Sequence, residues 1–367
     1  CTVEAKAAKV NEIGTITSKS AKIYKSASKK SSAKKVVADD LKRSFYVRES
    51  KNADKTTYYK IEKGTTVLGW VDKKSIKLTK RTLVNKTKKT MYVLGLNYAS
   101  TMPAATAANK SYNLQIRRGK EFKVERYEKL GDKYWYKGKI EGTSKLRWIQ
   151  EDYVTNNGYV SLNLRKPSNV STKDLQALLL SKGKTPDNVL YRLAPSFIKA
   201  QSETGVNAQF MFAHAALETG WGSSTIAQYK NNLFGYQAYD TCALTCAKYF
   251  PNGEAGLKLY ANKIVNNYLT QTGAYYNGMN VLDMNIRYAT DETWGQKIAF
   301  IMQQAKPYSA SYYKKAKPST KKVVIGKDYS SEIPATKPQP AHYVQLPKAA
   351  TGTVSTSPAY VYSIPYT

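Results

Sequence analysis

The sequence predicts a multidomain α+β chain in which two small all-β modules precede a mostly α domain. Three observations carry this. Short alternating runs rich in Tyr, Val and Ile, such as Thr57-Tyr58-Tyr59-Lys60-Ile61 and Lys133-Tyr134-Trp135-Tyr136-Lys137, recur through residues 13–156 with Gly between them, the pattern of short antiparallel strands. Helical periodicity replaces alternation after residue 157. Formal charge divides along the same line: residues 1–150 hold 36 Lys/Arg against 13 Asp/Glu, 151–300 hold 13 against 11, and 301–367 hold 9 against 2.

Internal similarity sets the boundaries. Gly14-Thr15-Ile16-Thr17 leads after three residues to Ala21-Lys22-Ile23-Tyr24, and Gly352-Thr353-Val354-Ser355 leads after three to Ala359-Tyr360-Val361-Tyr362. At module ends, Trp70-Val71-Asp72-Lys73-Lys74-Ser75-Ile76 parallels Trp148-Ile149-Gln150-Glu151-Asp152-Tyr153-Val154. The reading is a tail at 1–12, modules at 13–79 and 80–156, the α domain at 157–310, a Lys/Pro/Ser/Thr linker at 311–348 and the start of a third module at 349–367. For the tail, two readings stand: Cys1 as a lipid-modified first residue, or Ala5-Lys6-Ala7 as the small-x-small end of a signal peptide. Both imply export.

In the α domain, Ser171-Thr172-Lys173-Asp174 caps an apolar helical run through Leu175, Leu178 and Leu179, and further runs are expected at 194–203, 207–218, 254–268 and 292–304. No stretch is apolar for long enough to span a bilayer. The net charge of +32 favours polyanionic partners: nucleic acid, anionic lipid or wall teichoic acid. Interleaved Tyr and Lys suit stacking with phosphate contact, yet no nucleic-acid recognition motif accompanies them, so nucleic acid is not the expected partner. The three cysteines make no disulfide framework. Cys242 and Cys246 stand either as a small loop-closing bridge or as free thiols. Two His and no His-Glu-x-x-His pattern give no metal site.

Asn207 is placed to cap a helix whose apolar residues include Phe210, Ala213 and Leu217, and Glu218 sits in its last turn before Thr219-Gly220. A carboxyl group there faces the negative end of the helix dipole beside apolar side chains and near Trp221. Both effects favour the protonated form that a general acid needs. The alternative is a helix-end Glu turned to water.

Motif context bears on that choice. His214-Ala215-Ala216-Leu217-Glu218-Thr219-Gly220-Trp221-Gly222-Ser223-Ser224, Asn231-Asn232-Leu233-Phe234-Gly235-Tyr236, and Met284-Asn285-Ile286-Arg287-Tyr288-Ala289-Thr290-Asp291-Glu292-Thr293-Trp294 resemble, in order over about 150 residues, the motifs of the glucosaminidase family, glycoside hydrolase family 73. The Gly69-Trp70 dipeptide resembles that of GW-type, SH3-like wall-binding modules; Arg147-Trp148 departs from it in the second module. These resemblances imply a lysozyme-like catalytic fold with a cleft, preceded by two SH3-like barrels. The implied activity is endo-cleavage of the β-1,4 bond after N-acetylglucosamine in peptidoglycan, without cofactor or metal. Glu218 matches the acid and Tyr288 a residue close to the reacting sugar.

The second carboxylate stays open. Glu254 matches a region where some members carry it, Asp240 and Asp291 compete, and Glu254 equally reads as a first-turn acid favourable to its helix dipole. The acetamido oxygen of the substrate is the further candidate, which would make a second protein carboxylate unnecessary. Trp221, Phe234, Tyr236 and Tyr239 offer faces on which sugars stack, and Asn232, Tyr276, Asp291 and Trp294 complete the candidate substrate-binding set. His214, one turn before Glu218, is read as orienting a neighbour. The expected partners are glycan strands and, through the basic modules, teichoic acids, in a secreted, wall-associated protein of Gram-positive type. An inactive wall-binding or adhesive protein that keeps the hydrolase fold is the alternative.

Overall fold

The computed structural model describes residues 6–238 and 243–322, in two compact units divided between Asn156 and Asn157. Cys1, Tyr239, Asp240, Cys242, most of the expected linker and the expected third module lie outside the described residues.

The strands of the N-terminal unit are β1 (Ala8–Ile16), β2 (Lys22–Tyr24), β3 (Ala33–Lys35), and, after helix α1 (Ala38–Leu41), β4 (Ser44–Ala53), β5 (Thr56–Lys63) and β6 (Thr66–Asp72). There follow β7 (Ile76–Val93), β8 (Tyr98–Ser100), β9 (Lys110–Asn113), β10 (Glu121–Leu130), β11 (Lys133–Ile140), β12 (Arg147–Gln150) and β13 (Val154–Thr155). They form one sheet in the order β3-β2-β6-β5-β4-β1-β7-β10-β11-β12-β8-β9, with β13 against β7.

The expected pair of separate barrels is therefore a single sheet that does not close. The cause is local: the boundary expected at residue 79/80 falls inside β7, where Ile76-Lys77-Leu78-Thr79-Lys80-Arg81 alternates with no Gly or Pro to stop it. Its first five residues pair with β1, and Arg81 to Tyr92 pair with β10.

Each half nevertheless keeps its own core, around Phe45, Val47, Ile61 and Val71 in one and Leu114, Phe122, Ile140 and Ile149 in the other. Where the halves meet, the Arg81 guanidinium donates to the fully buried Glu128 carboxylate at 2.7 and 3.0 Å and to Asn11 at 2.6 Å, and Arg126 donates to Glu128 at 2.5 Å. Trp70 pairs with Tyr24 and Trp148 with Ser100, so the repeated Trp occupies matching places in the sheet. Gly69 has φ +138°, and a Cβ there would lie 2.5 Å from the Tyr24 carbonyl oxygen, which is why glycine precedes that Trp.

The C-terminal unit is helical: α2 (Thr172–Ser181), α3 (Val189–Arg192), α4 (Ala194–Thr204), α5 (Ala208–Glu218), α6 (Thr225–Lys230), α7 (Ala243–Cys246), α8 (Gly253–Tyr268), α9 (Val281–Tyr288), α10 (Trp294–Ala305) and α11 (Ala310–Lys315). Ser171 caps α2 in a capping box with Asp174, and Asn207 caps α5 by accepting from Phe210 N–H at 3.0 Å. Ala208 through Ala216 are all buried, so α5 is the central helix, apolar on every side and wrapped by its neighbours.

Packing continues past the expected domain end at 310. Tyr313 is buried, stacked on Tyr308 and edge-on to Tyr159. Ser319 N–H donates to the Arg165 carbonyl, and the buried Arg165 guanidinium donates to the carbonyls of Thr204, Ser319 and Lys321. Lys and Pro dominate the composition here, but a few tyrosines suffice to anchor it.

Candidate active site

Glu218 ends α5, and the chain reverses sharply after it. Thr219 Oγ1 donates back to the Ala215 carbonyl at 2.6 Å, and Gly220, Trp221 and Gly222 all have positive φ. A positive φ is costly for Trp. Trp221 is held there by its N–H on the Ala216 carbonyl at 2.7 Å and by Asn188 Nδ2 donating to its carbonyl at 2.9 Å. A side chain at Gly222 would strike that same Asn188 amide. The Thr-Gly-Trp-Gly sequence is thus the turn that ends the buried helix at Glu218.

The Glu218 side chain is 10% exposed, and its Oε1 lies 3.2 Å from Nε2 of the fully buried His214, one helical turn back. Nδ1 of His214 meets the Tyr260 hydroxyl of α8 at 2.5 Å. Rings enclose the imidazole: Phe234 and Tyr260 at 5.5 and 5.3 Å, Tyr288 and Trp294 at 4.7 and 5.0 Å. Phe234 stacks on Tyr260 at 3.5 Å, and Tyr288 on Trp294 at 4.7 Å. Burial, and after it the Glu218 charge, pushes the hydroxyls of Tyr260 and Tyr288 well above the ordinary tyrosine range, so both keep their protons.

A cavity of about 270 Å³ adjoins this cluster. Phe234, Tyr260 and Tyr288 serve both, touching His214 and lining the cavity, whose other walls include Tyr236, Lys263, Asn267, Tyr268 and Tyr275. Neither Glu218 nor Glu254 is part of its lining.

Residues 194–307 match the model of the glucosaminidase family, described as mannosyl-glycoprotein endo-beta-N-acetylglucosaminidase, and residues 6–77 match that of the GW (Gly-Tryp) dipeptide domain. The helical unit carries a glucosaminidase domain. Over 154 residues the chain is 32% identical to the protein named "Putative endo-beta-N-acetylglucosaminidase" of Streptococcus pneumoniae serotype 4, covering 42% of this chain and 23% of that protein. It is 28% identical over 164 residues to peptidoglycan hydrolase FlgJ of Pseudomonas aeruginosa, covering 36% and 40% respectively. The chain thus spans less than half the length of either curated relative. Among solved structures, S. aureus autolysin E is similar at 24% identity over 41% of this chain and 71% of that one, with a TM-score of 0.33.

Within the glucosaminidase domain the sequence-predicted residues divide. Tyr288, Phe234 and Tyr236 line the cavity, and Lys263 lies over the Tyr236 ring at 4.2 Å and donates to its hydroxyl. Trp294 is 1% exposed, so it backs Tyr288 and His214 instead of offering a face to a sugar. Asn232 also reaches the lining but is 2% exposed, and its amide is committed to the backbone of Tyr236 and Lys248, shaping the loop. The Trp221 indole lies under the Lys182 ammonium at 5.2 Å, against the end of α2.

Asp291 accepts from Thr293 and pairs with Lys297 at 2.6 Å ahead of α10. Burial opposes its charge, but those contacts outweigh it and hold the carboxyl below the usual carboxylate range. Glu254 stands in the first turn of α8, half-exposed and paired with Lys199 of α4. Tyr276 is half-buried in the loop before α9, its N–H on the Gly273 carbonyl. Cys246 is disulfide-bonded.

Sequence reasoning missed Tyr260, Lys263, Asn267 and Tyr268. Their signal was present: Gly256, Tyr260, Lys263 and Asn267 fall three or four apart in α8, Ile264 and Tyr268 adjoin the last two, and together they make one face, which lines the cavity.

Proposed function

We propose that this chain is a peptidoglycan hydrolase, an endo-β-N-acetylglucosaminidase that cleaves the β-1,4 bond after N-acetylglucosamine with Glu218 as general acid. The observation that carries this is a nearly buried carboxyl group at the end of a helix buried from Ala208 to Ala216, hydrogen-bonded to His214 and sharing its ring cluster with an aromatic cavity. Glu218 gives its proton to the leaving glycosidic oxygen as the bond from that oxygen to the anomeric carbon breaks. The electron deficiency at that carbon is met by the acetamido oxygen of the same sugar, which bonds to it as an oxazolinium; water then displaces that oxygen, leaving its hydroxyl on the anomeric carbon and its proton on the Glu218 carboxylate, which restores the acid. Glu254, tied to Lys199, is left as a helix-end carboxylate, and in this reading the acetamido oxygen takes the place of a second carboxylate. Tyr236 and Tyr288 present rings and hydroxyls suited to a sugar.

The N-terminal unit serves as the wall anchor, each half acting as an SH3-like module. Its excess of +23 over residues 1–150 and its cations over aromatic rings, such as Lys89 over Tyr136 at 4.2 Å and Lys129 over Tyr134 at 5.5 Å, suit polyanionic teichoic acid. Residues 151–300, which hold the glucosaminidase motifs, carry 13 Lys/Arg against 11 Asp/Glu, a balance that suits a glycan. This reading places the protein outside the cell, on the wall.

The test is Glu218→Gln in the full chain. Reducing-sugar release from purified walls should vanish while the circular dichroism spectrum and sedimentation with walls stay unchanged; release within a few-fold of the parent would remove Glu218 from the role. Mass spectrometry of the fragments reads the sugar at the new reducing end, and N-acetylmuramic acid there would contradict the bond assignment.

A further inference from the structure

We propose that Tyr260 and His214 form a hydrogen-bonded relay that decides which oxygen of Glu218 carries the transferable proton, making both of them positioning residues for glycosidic cleavage. The proposal rests on the general-acid reading of Glu218 and adds to it the element that orients the acid.

Both ring nitrogens of the fully buried His214 are engaged: Nδ1 with the Tyr260 hydroxyl at 2.5 Å, Nε2 with Glu218 Oε1 at 3.2 Å. The relay assigns each bond a direction. Tyr260 is buried, stacked on Phe234, and keeps its proton, and in the relay its hydroxyl donates to Nδ1. A neutral imidazole that accepts at Nδ1 carries its own proton on Nε2 and donates it to Oε1. Oε1 is then an acceptor in both states of the acid, because a proton on Oε1 would meet the Nε2–H head-on. The transferable proton is confined to Oε2, and once it has left, the same Nε2–H stabilises the carboxylate.

The ring cluster makes the arrangement rigid. Phe210, Phe234, Tyr288 and Trp294 surround His214 from α5, the loop after α6, α9 and α10. The titratable groups facing the imidazole are Glu218 on its own helix, Tyr260 on α8 and Tyr288 on α9, and both tyrosines stay protonated. The imidazole cannot rotate without breaking the Tyr260 bond, and with Tyr260 donating to Nδ1 its proton stays on Nε2. Positioning of this kind is what holds a catalytic proton in the geometry of attack.

The experiment uses the full chain with His214→Leu, His214→Gln and Tyr260→Phe, measuring kcat, KM and the pH–rate profile for reducing-end release from soluble glycan fragments. Leu removes the donor, so kcat should fall on the order of 10- to 100-fold, the span of one hydrogen bond to a charged group, with KM within about twofold. The alkaline limb of the profile should move to higher pH, because the carboxylate has lost the donor that stabilises it. Gln offers an amide N–H near the Nε2 position and should recover most of kcat and return the limb. Tyr260→Phe keeps the stacked ring, loses only the hydroxyl, and should lower kcat by less than His214→Leu; it carries the test if His214→Leu does not fold.

Parent-like kcat in folded His214→Leu or Tyr260→Phe, or a folded Gln variant no better than Leu with an unmoved limb, would overturn the relay. Activity retained by Glu218→Gln would instead overturn the acid assignment beneath it. An inactive Glu218→Gln beside normal His214 and Tyr260 variants sinks the relay alone.

Discussion

Tyr313→Ala tests whether the glucosaminidase domain needs the segment that follows α10. The Tyr313 side chain is 2% exposed, stacks on Tyr308 at 5.2 Å, and meets Tyr159 and Tyr312 edge-on at 5.9 and 5.0 Å. Truncation removes three ring contacts and leaves a hole that Tyr159, itself fully buried, cannot fill by rotating. Large aromatic truncations in cores cost about 3–5 kcal/mol, and this site falls in that range because its neighbours are themselves rigid rings. For a domain of this size each kcal/mol lowers the melting temperature by about 2–4 °C, so the helical unit should melt about 6–20 °C earlier. Differential scanning calorimetry of the full chain reads this, with near-ultraviolet circular dichroism following the tyrosine environment. A chain ending at residue 310 loses Tyr313 together with the Arg165 contacts and should fare worse. A loss under about 1 kcal/mol would refute the reasoning and return 311–322 to the status of a linker.

Two further outcomes follow from charged groups. Glu128→Gln leaves Arg81 and Arg126 converging without their anion at a site the carboxylate occupies at 0% exposure; it should cost about 3–5 kcal/mol in the β unit, read as lost hydrogen-exchange protection across β7 and β10, and a loss below about 1 kcal/mol would contradict it. Asp291, held below its ordinary titration by Lys297 and Thr293 against the opposing effect of burial, contributes stability that is fully present above the unfolded carboxyl value and lost as pH falls through the lower folded one. The gap in melting temperature between the parent and Asp291→Asn should therefore close as pH drops below about 4, and a gap constant down to pH 2 would contradict it.

The helices were legible because their signals are local. Ser171, Asn207 and the apolar spacing of α2, α4, α5, α8 and α10 lie within each element, and the helices expected at 194–203 and 207–218 stand at Ala194–Thr204 and Ala208–Glu218. The β unit was legible in its strands and repeats but not in its closure. Whether β7 ends at the module boundary depends on what each half of it pairs with about thirty to seventy residues away in sequence, as Ile76 does with Ile16 and Tyr92 with Glu121. Alternation within a strand says nothing of that. The boundary after α10 failed for a related reason: composition weighs residues by number, whereas anchoring depends on where Tyr308 and Tyr313 land.

The site divides in the same way. Glu218 and His214 stand four apart on one helix, so their adjacency is a property of helical geometry and was readable. Tyr260 comes forty-six residues later on another helix and reaches His214 only because α8 carries it there. The candidates that proved buried or committed, Trp294 and Asn232, share motifs with the exposed ones, since a motif records which residues a site requires without separating those that face the ligand from those that hold them. Trp294 supports Tyr288 from behind, Asn232 ties the loop bearing Phe234 and Tyr236, and Tyr260 fixes His214. Most of what makes Glu218 distinctive therefore lies in residues one layer behind it, whose burial strengthens the hydrogen bonds and ring contacts that set its surroundings.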